Sequence, residues 1–278
     1  MIKAFAERPE FEIPENLKPF LISAIHGHTE DAIHLSFPNY PNGFPVFINV
    51  YGSYPILHLN GRVTRAPSTL NLAGQIYGEI PKIEIQGRFG QIGFLMHPTT
   101  PYYLFHLPGN LLLNSWSAIE EISPKNTTEL FKALDSCQDP LHRLPILMHY
   151  LEQLIPCRLS PVPWLDQSLT EIYECDGLLS IKELSERAGL SLRHFRRLFI
   201  KIIGIPPKFF CKVVQLNTIF ESINNANTEK IHHLAYDCGY YDQAHFINDF
   251  KKLIGDSPEK FLNSKYAYVK TYLGRKGS

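Results

Sequence analysis

Between Ser191 and Lys212 the chain carries six cations, Arg193, Arg196, Arg197, Lys201, Lys208 and Lys212, and no carboxylate. Clustered guanidinium and ammonium groups neutralise phosphates and release the counterions condensed on a duplex. Guanidinium forks also reach the O6 and N7 atoms of guanine. A solvated helix face is the ordinary alternative for a run of like charge, so placement decides. At about 100° per residue, Leu192, Phe195, Leu198, Phe199 and Ile202 share one face. Arg193, Arg196 and Arg197 fall on the opposite face, with Lys201 flanking. Such a helix can lock into its domain on one side and lie in a major groove on the other.

Holding a helix that way takes a turn and a cap. Gly189 ends a preceding helical stretch, where a left-handed residue is needed and glycine has no steric penalty. Ser191 supplies the acceptor that caps the next helix. The same unit recurs: IKELSERAGLSLRHFRRLF at 181–199 matches IHHLAYDCGYYDQAHFINDF at 231–250. Ile181, Leu184, Gly189, Phe195 and Phe199 correspond to Ile231, Leu234, Gly239, Phe246 and Phe250, with one residue inserted in the turn. Gly204, Pro207 and Phe210 then find Gly255, Pro258 and Phe261, and Asp242 takes the capping place of Ser191. Short helix, glycine turn and capped helix describe a helix-turn-helix, here at 181–202 and 231–254, joined by the apolar stretch 208–223. The outward face of the second copy carries Ala244, His245, Asn248, Asp249 and Lys252, with Gln243 in the first turn. Gln and Asn can read adenine. An outward Asp249 would repel phosphate unless it met a cytosine amine or paired with Lys252, so the first helix is expected to contribute most of the affinity.

The 278 residues suffice for two domains, and a linker divides them. IHLSF (33–37), PVFINVYG (45–52), YPILHL (54–59), KIEIQG (82–87) and QIGFLM (91–96) read as short strands bounded by turn residues. Asn60-Gly61 predicts a type I′ hairpin, since both central positions need positive φ. Helical spacing follows at 127–136 and 143–155, with Pro145 in the first turn or kinking the second helix. Leu147, Leu151 and Leu154 form a stripe, either a dimer seam or a face packed on its own domain. PCRLSPVPW (156–164) is the clearest linker. The expected organisation is α+β: a β-rich barrel or sandwich with trailing helices (1–157), a Pro-rich linker (158–164), an all-α tandem helix-turn-helix domain (165–264) and a tail (265–278).

Charge follows the same division: residues 1–163 hold 11 basic and 14 acidic residues, and residues 164–278 hold 16 and 13. Net neutrality excludes a uniformly basic coat protein and an acidic disordered tail protein. No apolar run reaches membrane-span length, and the N-terminus has no signal-like apolar core. Five scattered cysteines without a CxxC suit reduced thiols in the cytoplasm.

Two constellations in the first half could bind something. His26, His28 and Glu30 offer two imidazoles and a carboxylate, adequate for a metal, although solvent-facing histidines on a loop or helix end are the favoured expectation. His97, with Tyr102, Tyr103 and His106, could line an aromatic pocket; aromatic strands packed in the core are the plainer reading. No catalytic-triad order, P-loop or GxGxxG is present. Neither an enzyme nor a cofactor is expected, and the effector pocket is unknown at this level.

Residues 165–264 resemble the tandem helix-turn-helix domain of the AraC/XylS family of bacterial transcription regulators. LSERAGLSLRHFRRLFIKIIGIPPKFF looks like that family's first unit, and GYYDQAHFINDFKKLIGDSPEKF like its C-terminal signature. The YYDQAHF wording is similar to one branch of the family. The resemblance implies recognition helices in successive major-groove segments, roughly one helical turn (~34 Å) apart. It places Arg193, Arg196 and Arg197 at base- and phosphate-contacting positions of the first helix, and Gln243, Ala244 and Asn248 at those of the second. Two positions depart: Asn248 stands where arginine is common, and Gln215 where the connecting helix often has arginine for a salt bridge or backbone contact. The implied partner is double-stranded promoter or operator DNA, with RNA polymerase, a small-molecule effector and a second copy of the chain as further candidates, and no membrane. The first domain would be a cupin-like barrel that shifts the population of DNA-competent states. A cupin-like metal or metabolite-binding protein with a helical appendage, and an adaptor for acidic proteins, are the competing readings. Activation and repression both stay open.

Overall fold

The computed structural model describes residues 11–123, 127–226 and 243–263. Gly239, Asp242, the leading part of the second unit and the 265–278 tail lie outside the described residues. The first half holds two antiparallel sheets. Strands β1 (Leu21–His28), β3 (Val46–Gly52), β6 (Leu70–Ala73), β8 (Phe89–Met96) and β9 (Trp116–Ala118) form one, in the order β1-β8-β3-β6-β9. Strands β2 (Ile33–Pro38), β4 (Ile56–Leu59), β5 (Arg62–Arg65) and β7 (Lys82–Gly87) form the other, in the order β2-β7-β4-β5. Asn60 and Gly61 have φ of 50° and 71°, and Leu59 pairs with Arg62 across the turn, the predicted two-residue hairpin.

Alternation along β3 makes the larger sheet two-faced. Ile48 and Val50 point to the second sheet, packing with its Ile85 and with Phe89 of β8. Phe47, register partner of Phe94, points to the helices. There it lies parallel to Tyr150 at 6.1 Å between ring centroids and tilted against Phe105 at 6.0 Å. These partners sit on α1 (Thr100–Phe105) and α4 (Arg143–Leu154); α2 (Ile119–Ile122) and α3 (Thr127–Ser136) lie between them in the chain. Pro145 sits in the first turn of α4, where its missing N–H costs nothing. The α4 leucine stripe is not a dimer seam: Leu147 and Leu151 are fully buried in their own domain's core, with Leu154 packed beside them. The aromatic run after His97 is not a strand either. It is the helix α1, with Pro101 in the first turn, and His106, at φ 55°, stops it.

On β7, Glu84 accepts hydrogen bonds from Gln86 and from two neighbouring strands, His34 Nε2 at 2.9 Å and His58 Nε2 at 2.7 Å. These bonds, Gln86's foremost, hold its carboxyl down at about 2. A carboxylate with a depressed folded pKa contributes stability above its unfolded pKa and loses it as pH falls toward the folded value. Glu84→Gln is therefore expected to flatten the loss of stability between about pH 5 and pH 2. Urea melts at several pH values check this; a wild-type acid slope in the variant counts against it.

The second half is helical: α5 (Pro163–Glu174), α6 (Ile181–Arg187), α7 (Leu192–Ile203), α8 (Pro207–Ala226), α9 (Gln243–Ile254) and α10 (Pro258–Leu262). The Pro-rich segment before it lies along the β-rich half. Leu159 N–H donates to the Tyr103 carbonyl at 2.9 Å, and Val162 N–H donates to the Tyr103 hydroxyl at 2.8 Å. That hydroxyl in turn donates to Asp166 at 2.9 Å. The halves also meet where Gly109 abuts the end of α7: a Cβ there would stand 2.5 Å from the Ile202 carbonyl oxygen. Farther along, Tyr40 packs edge-on against Phe261 at 5.6 Å, Tyr77 against Phe209 at 4.7 Å, and Asn217 Nδ2 donates to the Asn42 carbonyl at 2.9 Å.

Candidate nucleic-acid interface

The leading unit is built by local chemistry. Ser180 caps α6, its Oγ accepting from Glu183 N–H at 3.4 Å. The Ser-x-x-Glu spacing at 180–183 is a capping-box signal. The helix ends at Gly189, φ 68°, with Leu190 N–H donating to the Ser185 carbonyl at 2.9 Å and Gly189 N–H to that of Glu186 at 3.0 Å. That bond pair is the Schellman motif, and it turns the chain sharply into the next helix. Ser191 then caps α7, accepting from His194 N–H at 3.3 Å.

On α7, Phe195, Phe199, Ile202 and Ile203 are buried, while Arg193, Arg196, Arg197 and Lys201 are exposed. The core behind them includes Leu165, Ile172, Leu184, Phe210 and Val214. Lys208 is exposed as well.

The second unit repeats these jobs. Phe246, Phe250, Leu253 and Ile254 of α9 are buried, with Phe261 from α10 and Phe220 from α8 completing an aromatic cluster. Gly255 ends α9 at φ 85°, as Gly204 ends α7 at φ 100°; Pro258 and Pro207 each open the helix that follows. Gln243, Ala244, His245, Asn248, Lys251 and Lys252 are exposed.

Two sequence expectations need correction here. Asp249 does not face outward: it is 9% exposed, and its Oδ2 lies 2.9 Å from Lys212 Nζ and 3.3 Å from His245 Nε2. Its pairing partner is thus Lys212 rather than Lys252. The signal was present in the spacing, because Asp249 follows Phe246 by three residues and precedes Leu253 by four, which puts it on the buried side. Lys212 consequently leaves the set of outward cations. Gln215 is buried inside α8, away from any surface a duplex could reach.

The histidine pair is also misplaced by the sequence reading. His26 is not on a solvent-facing loop: it lies buried on β1, its Nε2 3.3 Å from the Tyr51 hydroxyl and its ring stacked on that of His28 at 5.1 Å. Burial pushes the Tyr51 hydroxyl up to about 12. Glu30 is exposed beyond the strand end, and no group of three or more His, Cys, Asp or Glu among the described residues is arranged to hold a metal.

His97 and Tyr103 do share a space, a cleft of about 1030 Å³ also lined by Phe20, Lys18, Arg158, Leu169 and Tyr173. It lies between the β-rich half and α5. Burial lowers the His97 pKa and raises that of Tyr103. Tyr102 and His106 do not line it. Among the described residues no helix is long and apolar enough to cross a membrane.

The glycine turn, its caps and the outward cations describe a known module. Residues 184–264 match the family model for a helix-turn-helix domain. That match begins at Leu184 within α6 and runs through α7, the connecting helix and the second unit. No match is found among curated proteins. Among solved structures, the chain is similar to ToxT from Vibrio cholerae O395, with 12% identity, 88% of this chain and 97% of that chain covered, and a TM-score of 0.45. Another structure of that protein, bound to (E)-4-(8-methylnaphthalen-1-yl)but-3-enoic acid, gives 8% identity, 86% and 97% coverage and a TM-score of 0.48. Within the matched stretch, α7 follows α6 across the Gly189 turn, and α9 carries the residues that correspond to α7 in the repeat.

Proposed function

We propose that the chain is a sequence-specific DNA-binding transcription regulator of AraC/XylS type, with α7 and α9 as recognition helices. The observation that carries this reading is the outward face of α7. Arg193, Arg196, Arg197 and Lys201 are exposed there with no carboxylate on the helix, while the opposite face is locked into the core. Arg193, Arg196 and Arg197 would contact bases and phosphates at the first segment. Gln243, Ala244, His245 and Asn248 would face the second, and Lys201 would reach the backbone. The weaker charge of α9 favours a first unit that supplies most of the affinity.

Control by the β-rich half follows from its contacts. Gly109 touches the end of α7, while Tyr40 reaches the core of the second unit. A domain that touches both units can bias their relative seating, and a ligand that changes those contacts shifts the population able to bind DNA. The cleft beside Tyr103 and Asp166 is the natural place for a small-molecule effector, because it borders the segment that joins the halves.

Selection of bound sequences from a random duplex pool by the intact protein tests the reading. The expected product is a site of two segments about one helical turn apart, with the stronger base preference in one of them. Failure to enrich any duplex over scrambled controls removes the regulator reading and favours an adaptor for acidic proteins.

A further inference from the structure

We propose that the ion pair between Lys212 and Asp249 sets how the second recognition helix is seated, and so governs base discrimination at the second DNA segment. The inference rests on the DNA-binding reading above and assigns two positioning residues within it. The internal repeat shows that the pair is not needed to build the unit. With the offset of 51 that matches Phe195 to Phe246, Asp249 takes the place of Leu198. The first copy thus forms the same helix with an apolar residue at that position. A buried ion pair seldom stabilises a fold more than a well-packed apolar pair does. What it adds is direction. The aromatic cluster of Phe220, Phe246, Phe250 and Phe261 attracts without specifying an angle, whereas an ion pair at 2.9 Å fixes one point of α9 against one point of α8.

The point chosen on α8 matters. Phe210, Cys211 and Val214 belong to the core of the first unit, and Val213, Leu216 and Ile219 to that of the second. Lys212 sits where the helix passes from one core to the other. Among the described residues, the Lys212–Asp249 contact is the ion pair that ties α9 to this shared helix. The same carboxylate oxygen holds His245, one turn earlier and exposed on the face we assign to DNA. Rolling α9 about its axis would carry His245 and Asp249 together, break the contact to Lys212, and move Gln243, Ala244 and Asn248 with them.

The test uses the full chain and the two-segment duplex selected by the wild type. The readout is a ratio: affinity for the full site over affinity for the same duplex with its second segment scrambled. That ratio cancels non-specific charge effects. Asp249→Leu, which copies the first unit, and Lys212→Met are each expected to lower the ratio about tenfold. Affinity for the first segment alone and cooperative melting should be kept. Lys212→Arg should stay within about threefold of wild type, and the exchange Lys212→Asp with Asp249→Lys should recover most of the ratio lost by the single changes. An Asp249→Leu protein that melts normally and discriminates as the wild type does overturns the proposal, as does an exchange variant no better than the two single losses combined. Arg196→Ala, measured alongside, separates the two levels. If it too leaves every affinity unchanged, α7 is not the reading helix and the assignment on which this proposal rests fails. If it weakens binding while Asp249→Leu does nothing, only the positioning role is lost.

Discussion

Arg196→Ala and Arg197→Ala should each weaken specific duplex binding by about 1–3 kcal/mol, roughly five- to 150-fold, and relax the preference at one base pair. Both side chains are exposed on α7 and neither makes an ion pair among the described residues, so removing them takes little from the fold. The loss should therefore appear in DNA affinity and not in the melting temperature. Arg→Lys tells the two kinds of contact apart. A lysine keeps the charge but not the planar fork, so a guanine contact fails with Lys while a phosphate contact survives. Salt dependence gives a second view, since each lost phosphate contact lowers the slope of log affinity against log salt by about one. Anisotropy titrations at three or four salt concentrations supply both quantities. If neither alanine variant changes affinity or slope, α7 is not the reading helix.

The opposite face of the same helix should behave in the reverse way. Phe199 is fully buried, 6.0 Å from the Phe195 ring and edge-on to Phe210 at 5.8 Å between centroids. Phe199→Ala is expected to destabilise the first unit by about 3–5 kcal/mol, the transfer cost of the ring plus that of the cavity left behind. Neighbouring rings can close such a cavity only partly, because Phe210 is itself held against Tyr173. DNA affinity should fall with stability, because the arginines lose the platform that presents them. Urea unfolding monitored by circular dichroism measures the loss. A cost below about 1 kcal/mol would mean that the site collapses freely and that α7 is not held by its aromatic face.

The two results together would locate function on one side of a single helix and stability on the other, a division already visible in the spacing of residues 192–203. That helix was legible because a helical face is set by a period of 3.6 residues. The same holds for the turns. Gly189 and the Asn60-Gly61 pair occupy positive-φ positions that steric rules reserve for few residue types. Ser191 and its bond to His194 N–H depend on nothing beyond the next three residues. The later part of the repeat was likewise legible, since Phe246, Phe250, Gly255, Pro258 and Phe261 bury, turn and open a helix as Phe195, Phe199, Gly204, Pro207 and Phe210 do.

Other features needed the assembled chain. The strand β1 mixes Ser23, Ala24, His26 and Gly27 with apolar residues, so its alternation is blurred; its pairing with β8 declares it a strand. His26 reads as a solvent-facing group until Tyr51, 25 residues away, is brought beside it. The leucines of α4 could have met a second copy of the chain, and only the placement of Phe47 and Phe94 shows that their own sheet covers them.

Local spacing is enough to give the β-rich first half, the caps and turns of the first helical unit, the apolar, glycine and proline positions its second copy shares from Phe246 to Phe261, and the charged side of α7. These follow from periodicity and φ restrictions acting over a few residues. Tertiary structure alone decided which groups meet: Lys212 with Asp249, Tyr103 with Asp166, Gly109 with the end of α7. Such contacts join residues 37, 63 and about 93 positions apart, and a local pattern has no means of naming a partner that far along the chain.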